Sequence, residues 1–214
     1  LYDARVANKS YKVVFSSSFL VNESGQTLDL DYNLRSRKFK EAISNSCVIE
    51  STIATELLLN ECIIPNLGAA MVDRSLYNEV DGLSTSYKVL ADWDFWLKCS
   101  VSSGFIYIKS PLNNFRQHNT TIRSSIKTEL QLDELYSIFT EFKDKNNSLT
   151  LYDLNKSIGF LFWGMVTPIS IGNFMDVLWL SIMSIKFHLT LPLFIYWGAL
   201  SILLKKIIRK LHKR

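Results

Sequence analysis

The feature that most constrains the fold is an alternation of strand-like and helix-like segments before residue 128. Short apolar runs predict strands over residues 12–16, 18–21, 105–108 and 112–116, with Pro111 separating the last two. Segments of helical composition lie between them, over residues 37–45, 52–60, 75–80 and 93–102. Residues 63–72 combine an apolar run with Pro, Asn and Gly, which predicts a loop that enters a buried strand. Strands that alternate with helices imply an α/β fold.

Turn and capping residues mark the ends of these segments. Asn22-Glu23-Ser24-Gly25 suits the loop of a β-hairpin. Ser51, and either Asp73 or Ser75, are expected to cap the N-termini of two helices. Gly82 is expected in the left-handed conformation after the second of these helices. The helix over 93–102 is expected to open at Asp92 and to end before Gly104.

The spacing of apolar residues changes at residue 128. Five of them then recur at helical intervals: Leu132, Leu135, Ile138, Phe139 and Phe142. This pattern predicts an amphipathic helix, followed by a polar patch over 143–148 and a further helix over 151–163. We therefore predict three parts: an α/β part over 1–127, a helical extension over 128–185 and a tail over 186–214.

The composition is that of a folded protein. Of the 214 residues, 48% are hydrophobic and 21% are charged, which argues against disorder and allows a buried core. Cys47, Cys62 and Cys99 are widely spaced, form no CxxC pair and match no zinc spacing. We predict that they are core residues of a reduced, cytosolic protein.

The excess positive charge lies at the C-terminus. Beyond Asp176 the sequence has seven Lys and Arg residues and no acid. Residues 187–204 carry no formal charge, and residues 200–213 place apolar and basic side chains on opposite helical faces. This tail is expected to lie on an anionic membrane surface; the alternative is that these helices only cover the domain core. Nucleic acid is not an expected partner, because the basic residues are confined to one apolar tail.

The run Ala91-Asp92-Trp93-Asp94-Phe95-Trp96-Leu97-Lys98 is the most informative for chemistry. Two carboxylates two residues apart flank an indole at the predicted start of a helix, where the helix dipole and unpaired backbone N–H groups favour an acid. One interpretation is structural, with Asp92 as an N-cap and the tryptophans in the core. The other is catalytic, because a carboxylate among aromatic side chains loses solvation and becomes more basic.

Other segments surround this run in a fixed order. Two precede it, Asn66-Leu67-Gly68-Ala69-Ala70-Met71 and Val80-Asp81-Gly82-Leu83, and three follow it, Gly104-Phe105-Ile106-Tyr107-Ile108, Pro111-Leu112 and Phe115-Arg116-Gln117-His118. The ordered set resembles family 2 glycosyltransferases, whose catalytic domains carry a glycine-containing acceptor loop, a "GGF/GL" turn, an acidic "(E)DWDLWLR" helix start, a "G-x-I-x-Y-I" strand and a terminal "YRxH". The resemblance covers roughly residues 12–123. It implies an incomplete GT-A-type fold of the nucleotide-diphospho-sugar transferases, with C-terminal helices.

The resemblance also implies roles for single residues. Asp92 matches the general base of inverting members, which takes the proton of an acceptor hydroxyl as its oxygen attacks the anomeric carbon. Asp94 is an alternative base or, like Trp93, a substrate-binding residue. Asn66 and Gly68 are expected to allow close approach of the backbone to the sugar or acceptor. Ala91 stands where the family usually has Glu, which weakens the assignment of Asp92.

The donor side of the reaction is implied in the same way. His118 matches a histidine that reaches the metal or the donor diphosphate in some relatives, and Arg116 is expected to pair with donor phosphate. The alternative for both is a solvated loop. The divalent cation, Mn²⁺ or Mg²⁺, is held mainly by an Asp-x-Asp element that normally lies just upstream of the segment matching Leu1–Ser17. Asp29-Leu30-Asp31 lies too late in the order, and we interpret these acids as turn or surface residues.

These expectations describe an inverting, metal-dependent transferase. It moves a sugar from a nucleotide-sugar donor to a glycan or polyprenyl-linked acceptor at the cytoplasmic face of the membrane. The tail is expected to make it peripheral or monotopic. The alternative hypothesis is a non-catalytic membrane-docking or partner-binding module, which is motivated by the missing Asp-x-Asp element and by the tail.

Overall fold

The computed structural model describes residues 11–64, 66–118 and 128–146, together with positions 150, 155, 157, 158, 185 and 193. The chain divides into two compact units, Leu1–Ile126 and Lys127–Arg214. Apart from those single positions, the helix predicted over 151–163 and the tail from residue 186 lie outside the described residues.

A five-stranded sheet forms the centre of the first unit. Its strands are β1 Val13–Val21, β2 Thr27–Leu30, β3 Cys47–Ile49, β4 Ala70–Val72 and β5 Phe105–Arg116. β1 pairs in parallel with β5 along its whole length, and β3 pairs antiparallel with the other edge of β5. A parallel pair needs a long crossover, which the helices between β1 and β5 supply. The predicted α/β class is confirmed.

β1 and β5 are each continuous where the sequence predicted two strands. Both predictions of a break were wrong. Instead of breaking β5, Pro111 lies opposite Ser17 at an irregularity in the pairing, where the register slips on either side of Ser17. A bulge absorbs extra residues without ending the strand and tolerates a residue that has no N–H to donate.

The turn and cap residues behave largely as predicted. Asn22 and Gln26 close the β1–β2 hairpin, with Gln26 N donating to Asn22 Oδ1 at 2.9 Å, and Gly25 has a φ of 85°. Asp73 is the N-cap of the helix Arg74–Glu79, and it accepts a hydrogen bond from the backbone N–H of Ser75. Gly82 follows that helix with a φ of 62°. These local predictions are confirmed.

Six short helical segments connect the strands. They are α1 Asp31–Leu34, α2 Arg37–Ala42, α3 Ser51–Leu58, a 3₁₀ turn Leu67–Ala69, α4 Arg74–Glu79 and α5 Ala91–Ser102. The prediction that Ser51 caps α3 was wrong: Glu50 is the N-cap, and Ser51 is the first helical residue. The Ser51 hydroxyl donates to Ser100 O of α5 at 2.5 Å. After α5, a Cβ on Gly104 would lie 2.5 Å from Ile49 O, so only glycine fits the close approach of β3 and β5 there.

The packing of α3 against α5 builds much of the core. The indole N–H of Trp93 donates to Leu58 O at 2.8 Å, and the hydroxyls of Thr55 and Ser100 are 2.8 Å apart. Trp96 is only 1% exposed and Phe95 only 2%. Each such buried aromatic side chain contributes about 1.5–3 kcal/mol to folding. The start of α5 is therefore fixed in position by its own core residues.

The second unit contains one long described helix, α6 Thr128–Lys145. The five apolar residues predicted to share a face, Leu132, Leu135, Ile138, Phe139 and Phe142, are all buried. The amphipathic helix is therefore confirmed. Among the helices of the described ranges, none has both the length and the apolar character needed to cross a membrane.

Candidate functional site

Among the described residues, no strand pairs with the middle of β1 on one of its edges. Because β5 takes one edge along the whole strand, β4 and β2 share the other: β4 pairs with Val13–Phe15 and β2 with Phe19–Val21. The three serines between them, Ser16–Ser18, are all buried. In the described part of the chain, side chains and not a strand lie beside this edge over Ser16–Ser18. We call this gap between β4 and β2 the sheet split.

A cluster of three polar side chains lies at the sheet split. Asn113 Nδ2 donates to Ser18 Oγ and to Asn66 Oδ1, at 3.1 Å each, and Asn66 Nδ2 lies 3.3 Å from Ser18 Oγ. A Cβ on Gly68 would lie 3.2 Å from Asn66 Oδ1. The predicted site residues Asn66 and Gly68 therefore meet at this cluster, together with Ser18 and Asn113, which the sequence did not single out.

Asp31 also lies at the sheet split, and the prediction that it is a turn or surface acid was wrong. Its side chain is 8% exposed and forms an ion pair with Arg35 Nη2 at 3.0 Å. Its Oδ1 accepts the backbone N–H of Ser18 at 2.6 Å, the group that a neighbouring strand would otherwise bind. The buried carboxylate is stable there because it satisfies a strand N–H and neutralises a guanidinium.

Asp29 does behave as the sequence predicted. It accepts hydrogen bonds from Leu30 N and from Asn33 Nδ2, and it is exposed. The bond from Asn33, and then the one from Leu30, lowers the pKa of Asp29 below its usual value.

The start of α5 presents its two carboxylates differently. Asp92 is half-buried, and its Oδ1 accepts the backbone N–H of Trp93 at 2.8 Å. Asp94 is 4% exposed, and its carboxylate is 2.6 Å from Lys98 Nζ. Asp94 is therefore committed to an ion pair one helical turn away. Trp93 is 4% exposed, and its N–H is bound to Leu58 O.

The chain between α3 and the 3₁₀ turn is bonded both to α5 and to the sheet split. Leu58 O accepts from Trp93, Cys62 O accepts from Arg35 Nη1 at 2.8 Å, and Asn66 reaches Ser18. One short stretch of chain is thus bonded to the start of α5, to the Asp31–Arg35 pair and to the polar cluster. The segment over 58–66 thus contacts both the predicted catalytic helix start and the polar cluster of the predicted acceptor loop.

Arg116 and His118 lie at the end of β5, beside the β1–β2 hairpin loop. Arg116 Nη1 donates to Glu23 O at 2.5 Å. His118 is 52% exposed, and its Nδ1 is 4.0 Å from Glu23 Oε1. Both predicted donor-side residues therefore contact the same loop, and the imidazole remains open to solvent.

The metal-ligating side chains and the thiols of the described residues can be compared with what a metal site or a reactive cysteine requires. Within the described ranges, no group of three His, Cys, Asp or Glu side chains is placed to hold a metal ion. Burial, with a smaller contribution from the charge of Glu79, raises the pKa of Cys99 to about 12, and burial also raises that of Cys47. Thiols with raised pKa values are poor nucleophiles. Cys99 is a core residue as predicted, whereas Cys47 and Cys62 are half-buried.

An open cleft lies beside the sheet split, with a volume of about 190 Å³. The apolar residues among its lining are Leu20, Leu34 and Phe115, and the polar ones are Asp31, Arg35, Glu61 and Gln117. The sequence predicts none of these residues as part of a cleft: Asp31 is expected to be a turn or surface acid, and Phe115 and Gln117 belong to the strand-end segment that resembles "YRxH". The residues come from segments far apart in the chain, so no local pattern indicates the cleft.

No protein-family model matches the sequence, and none of the curated proteins compared with it is significantly similar.

Proposed function

We propose that this chain is the acceptor-side part of a GT-A-type, family 2 glycosyltransferase that inverts configuration at the anomeric carbon. The ordered motifs of the sequence are the basis of the proposal. The structure adds one observation that supports it: the segment that carries the acceptor-loop residue Asn66 also bonds to the acidic start of α5, where Leu58 O accepts from Trp93.

The environments of the two acids favour Asp92 as the general base. Asp94 is 4% exposed and its Oδ2 is paired with Lys98 Nζ at 2.6 Å, so an acceptor hydroxyl reaches it less easily than it reaches Asp92. Asp92 is the more accessible carboxylate and lies at the helix start, next to buried Trp93 and Phe95. In the proposed step, Asp92 takes the proton of an acceptor hydroxyl as its oxygen bonds to the anomeric carbon. The bond from that carbon to the diphosphate oxygen breaks, and the nucleoside diphosphate leaves with the electron pair.

Asn66 and Gly68 are proposed to position the acceptor, with Ser18 and Asn113 holding Asn66 in place. Amide and hydroxyl groups both donate and accept hydrogen bonds, as recognition of sugar hydroxyls requires. Because a Cβ on Gly68 would crowd the amide of Asn66, glycine keeps that amide accessible. Trp93 acts through packing, since its ring is buried and its N–H is bound to Leu58 O.

On the donor side, we propose that Arg116 pairs with phosphate and that His118 contributes to the site of a divalent cation, Mn²⁺ or Mg²⁺. Within the described ranges no three such side chains are placed together to hold an ion, so the cation needs ligands beyond His118. When bound, such a cation neutralises the charge of the leaving diphosphate. The exposure of His118 is compatible with this role.

A membrane location remains part of the proposal. The basic, apolar C-terminal sequence suits an anionic membrane surface, and a polyprenyl-linked or glycan acceptor at the cytoplasmic face matches that location. The enzyme is proposed to be peripheral or monotopic there.

The test is a transfer assay with the full-length protein. UDP-, GDP- and TDP-sugars are each mixed with polyprenyl phosphate or glycan acceptors and Mn²⁺, and the release of nucleoside diphosphate and the glycosylated product are measured. We expect one donor to give acceptor-dependent release that EDTA stops and added Mn²⁺ restores. If no donor gives product while the protein still binds anionic vesicles, the proposal is wrong and the docking-module alternative is favoured.

A further inference from the structure

The open cleft beside the sheet split has a lining unlike that of the proposed catalytic site. Leu20 of β1 and Phe115 of β5 are register partners, so they lie side by side on one wall. Leu34 of α1 is 69% exposed and also borders the cleft. The volume of about 190 Å³ corresponds to about six water molecules at roughly 30 Å³ each. The cleft thus has room for one ring-sized ligand, not for a dinucleotide.

The polar side chains of the cleft have hydrogen-bond donors and acceptors that are not used within the described part of the chain. The side chain of Arg35 is 10% exposed and uses one N–H on Cys62 O and one on Asp31 Oδ2. A guanidinium has five N–H donors, so three remain without a partner in the described part of the chain. Glu61 accepts hydrogen bonds from the hydroxyl and the backbone N–H of Ser36, and its carboxylate has further lone pairs.

The charges of this lining select the kind of ligand. Asp31 and Glu61 are acidic and Arg35 is basic, so the described lining carries one net negative charge. Phosphate and carboxylate ligands are therefore disfavoured. A neutral polyol suits the lining, because its hydroxyls both donate to carboxylates and accept from a guanidinium. Its C–H face packs against Phe115 and the two leucines.

We propose that this cleft binds a neutral glycosyl unit. Asp92 is not among the described residues that line it, so the bound unit is not the reacting sugar. The biological role rests on the proposed function: the unit is part of the acceptor, held at a distance from the hydroxyl that is glycosylated. Binding itself does not depend on transfer and is measured without a donor.

The experiment is a binding titration on the whole chain, followed by ligand-observed NMR. The probes are the methyl glycosides of glucose, galactose and N-acetylglucosamine, with glucose 6-phosphate as the anionic counterpart. We expect saturable, millimolar binding of at least one neutral glycoside and weaker binding of the phosphate. Phe115→Ala is expected to weaken binding about ten-fold, and Gln117→Ala to weaken it less. Leu112→Ala is the matched control, since Leu112 is exposed on the same strand and outside the lining.

Three results would overturn the proposal: no saturable binding of any neutral glycoside, binding that neither Phe115→Ala nor Gln117→Ala reduces, or a preference for glucose 6-phosphate. The two proposals fail separately. Glycoside binding that persists in Asp92→Asn supports the cleft whatever the transfer assay shows, and transfer by a protein that binds no neutral glycoside rejects the cleft alone.

Discussion

Two pairs of aspartates, each two residues apart, lie near helix starts in this protein. Asp29 is in β2 and Asp31 is the first residue of α1, whereas Asp92 and Asp94 are both in the first turn of α5. In both, the second acid is buried and forms an ion pair with a basic residue four positions later: Asp31 with Arg35, and Asp94 with Lys98. The shared pattern follows from helix geometry, because side chains at i and i+4 are neighbours on one face.

The first acids of the two pairs differ. Asp29 is exposed, and it accepts hydrogen bonds from Leu30 N and Asn33 Nδ2, which are close to it in sequence. Asp92 is half-buried at the start of a helix whose next residues are core aromatics. The same Asp-x-Asp sequence therefore does not define a role, because distant segments decide which carboxylate is buried in an ion pair and which remains partly exposed.

Among the variants that test this comparison, Asp31→Asn is expected to have the largest effect on stability. It leaves the guanidinium of Arg35, only 10% exposed, without a counter-charge. We expect the free energy of unfolding to fall by about 3 kcal/mol, at the low end for a broken buried pair because Arg35 keeps its bond to Cys62 O. Urea unfolding monitored by circular dichroism measures the loss.

Asp29→Asn is the matched control for this prediction, since it changes the same charge two residues away at an exposed position. We expect a much smaller change in the urea midpoint at neutral pH. Equal losses for the two variants would mean that the pair acts as a surface charge cluster, and the distinction between Asp29 and Asp31 would be wrong.

The local parts of the fold were predictable, and the long-range ones were not. Three local features depend on residues close in sequence and were predicted. They are the hairpin at Asn22, the cap at Asp73, which was one of two residues expected there, and the left-handed Gly82. Asp31 was misassigned because its partner, Ser18 N, belongs to a strand edge that becomes unpaired only when β2 and β4 meet β1 at separate places.

The same reasoning applies to the candidate site. The acidic start of α5 and the loop at Asn66 carry recognisable residue patterns and were predicted as site residues. Asn113 lies in a predicted strand, but no residue pattern around it indicates a site. It contacts Ser18 only because β5 is parallel to β1 in one particular register. The sequence does not indicate that register, because Pro111 predicts the end of a strand, whereas in the structure it lies at a bulge.

A smaller effect is expected from the pH dependence of Asp29. Its folded pKa is lowered from 3.8, chiefly by the hydrogen bond from Asn33. The stabilisation is therefore fully present above the unfolded pKa and is lost as the pH falls through the lowered, folded pKa. We expect an NMR titration of the Asp29 carboxyl to give a midpoint below 3.8, and Asn33→Ala to move it upward. A midpoint that Asn33→Ala leaves unchanged would contradict this account.

The central claim is that Asp92 is the base of a sugar transfer and that Asp94 supports the structure. The most direct test measures transfer rate and unfolding free energy together in Asp92→Asn and Asp94→Asn. For Asp92→Asn we predict a roughly 10²–10⁴-fold loss of transfer, with stability lowered by no more than about 1 kcal/mol from the helix dipole. For Asp94→Asn we predict a stability loss of about 1–2 kcal/mol, moderate because the partly exposed Lys98 can reach solvent, and transfer retained in the folded fraction. Transfer that survives Asp92→Asn and is lost in folded Asp94→Asn would contradict the assignment.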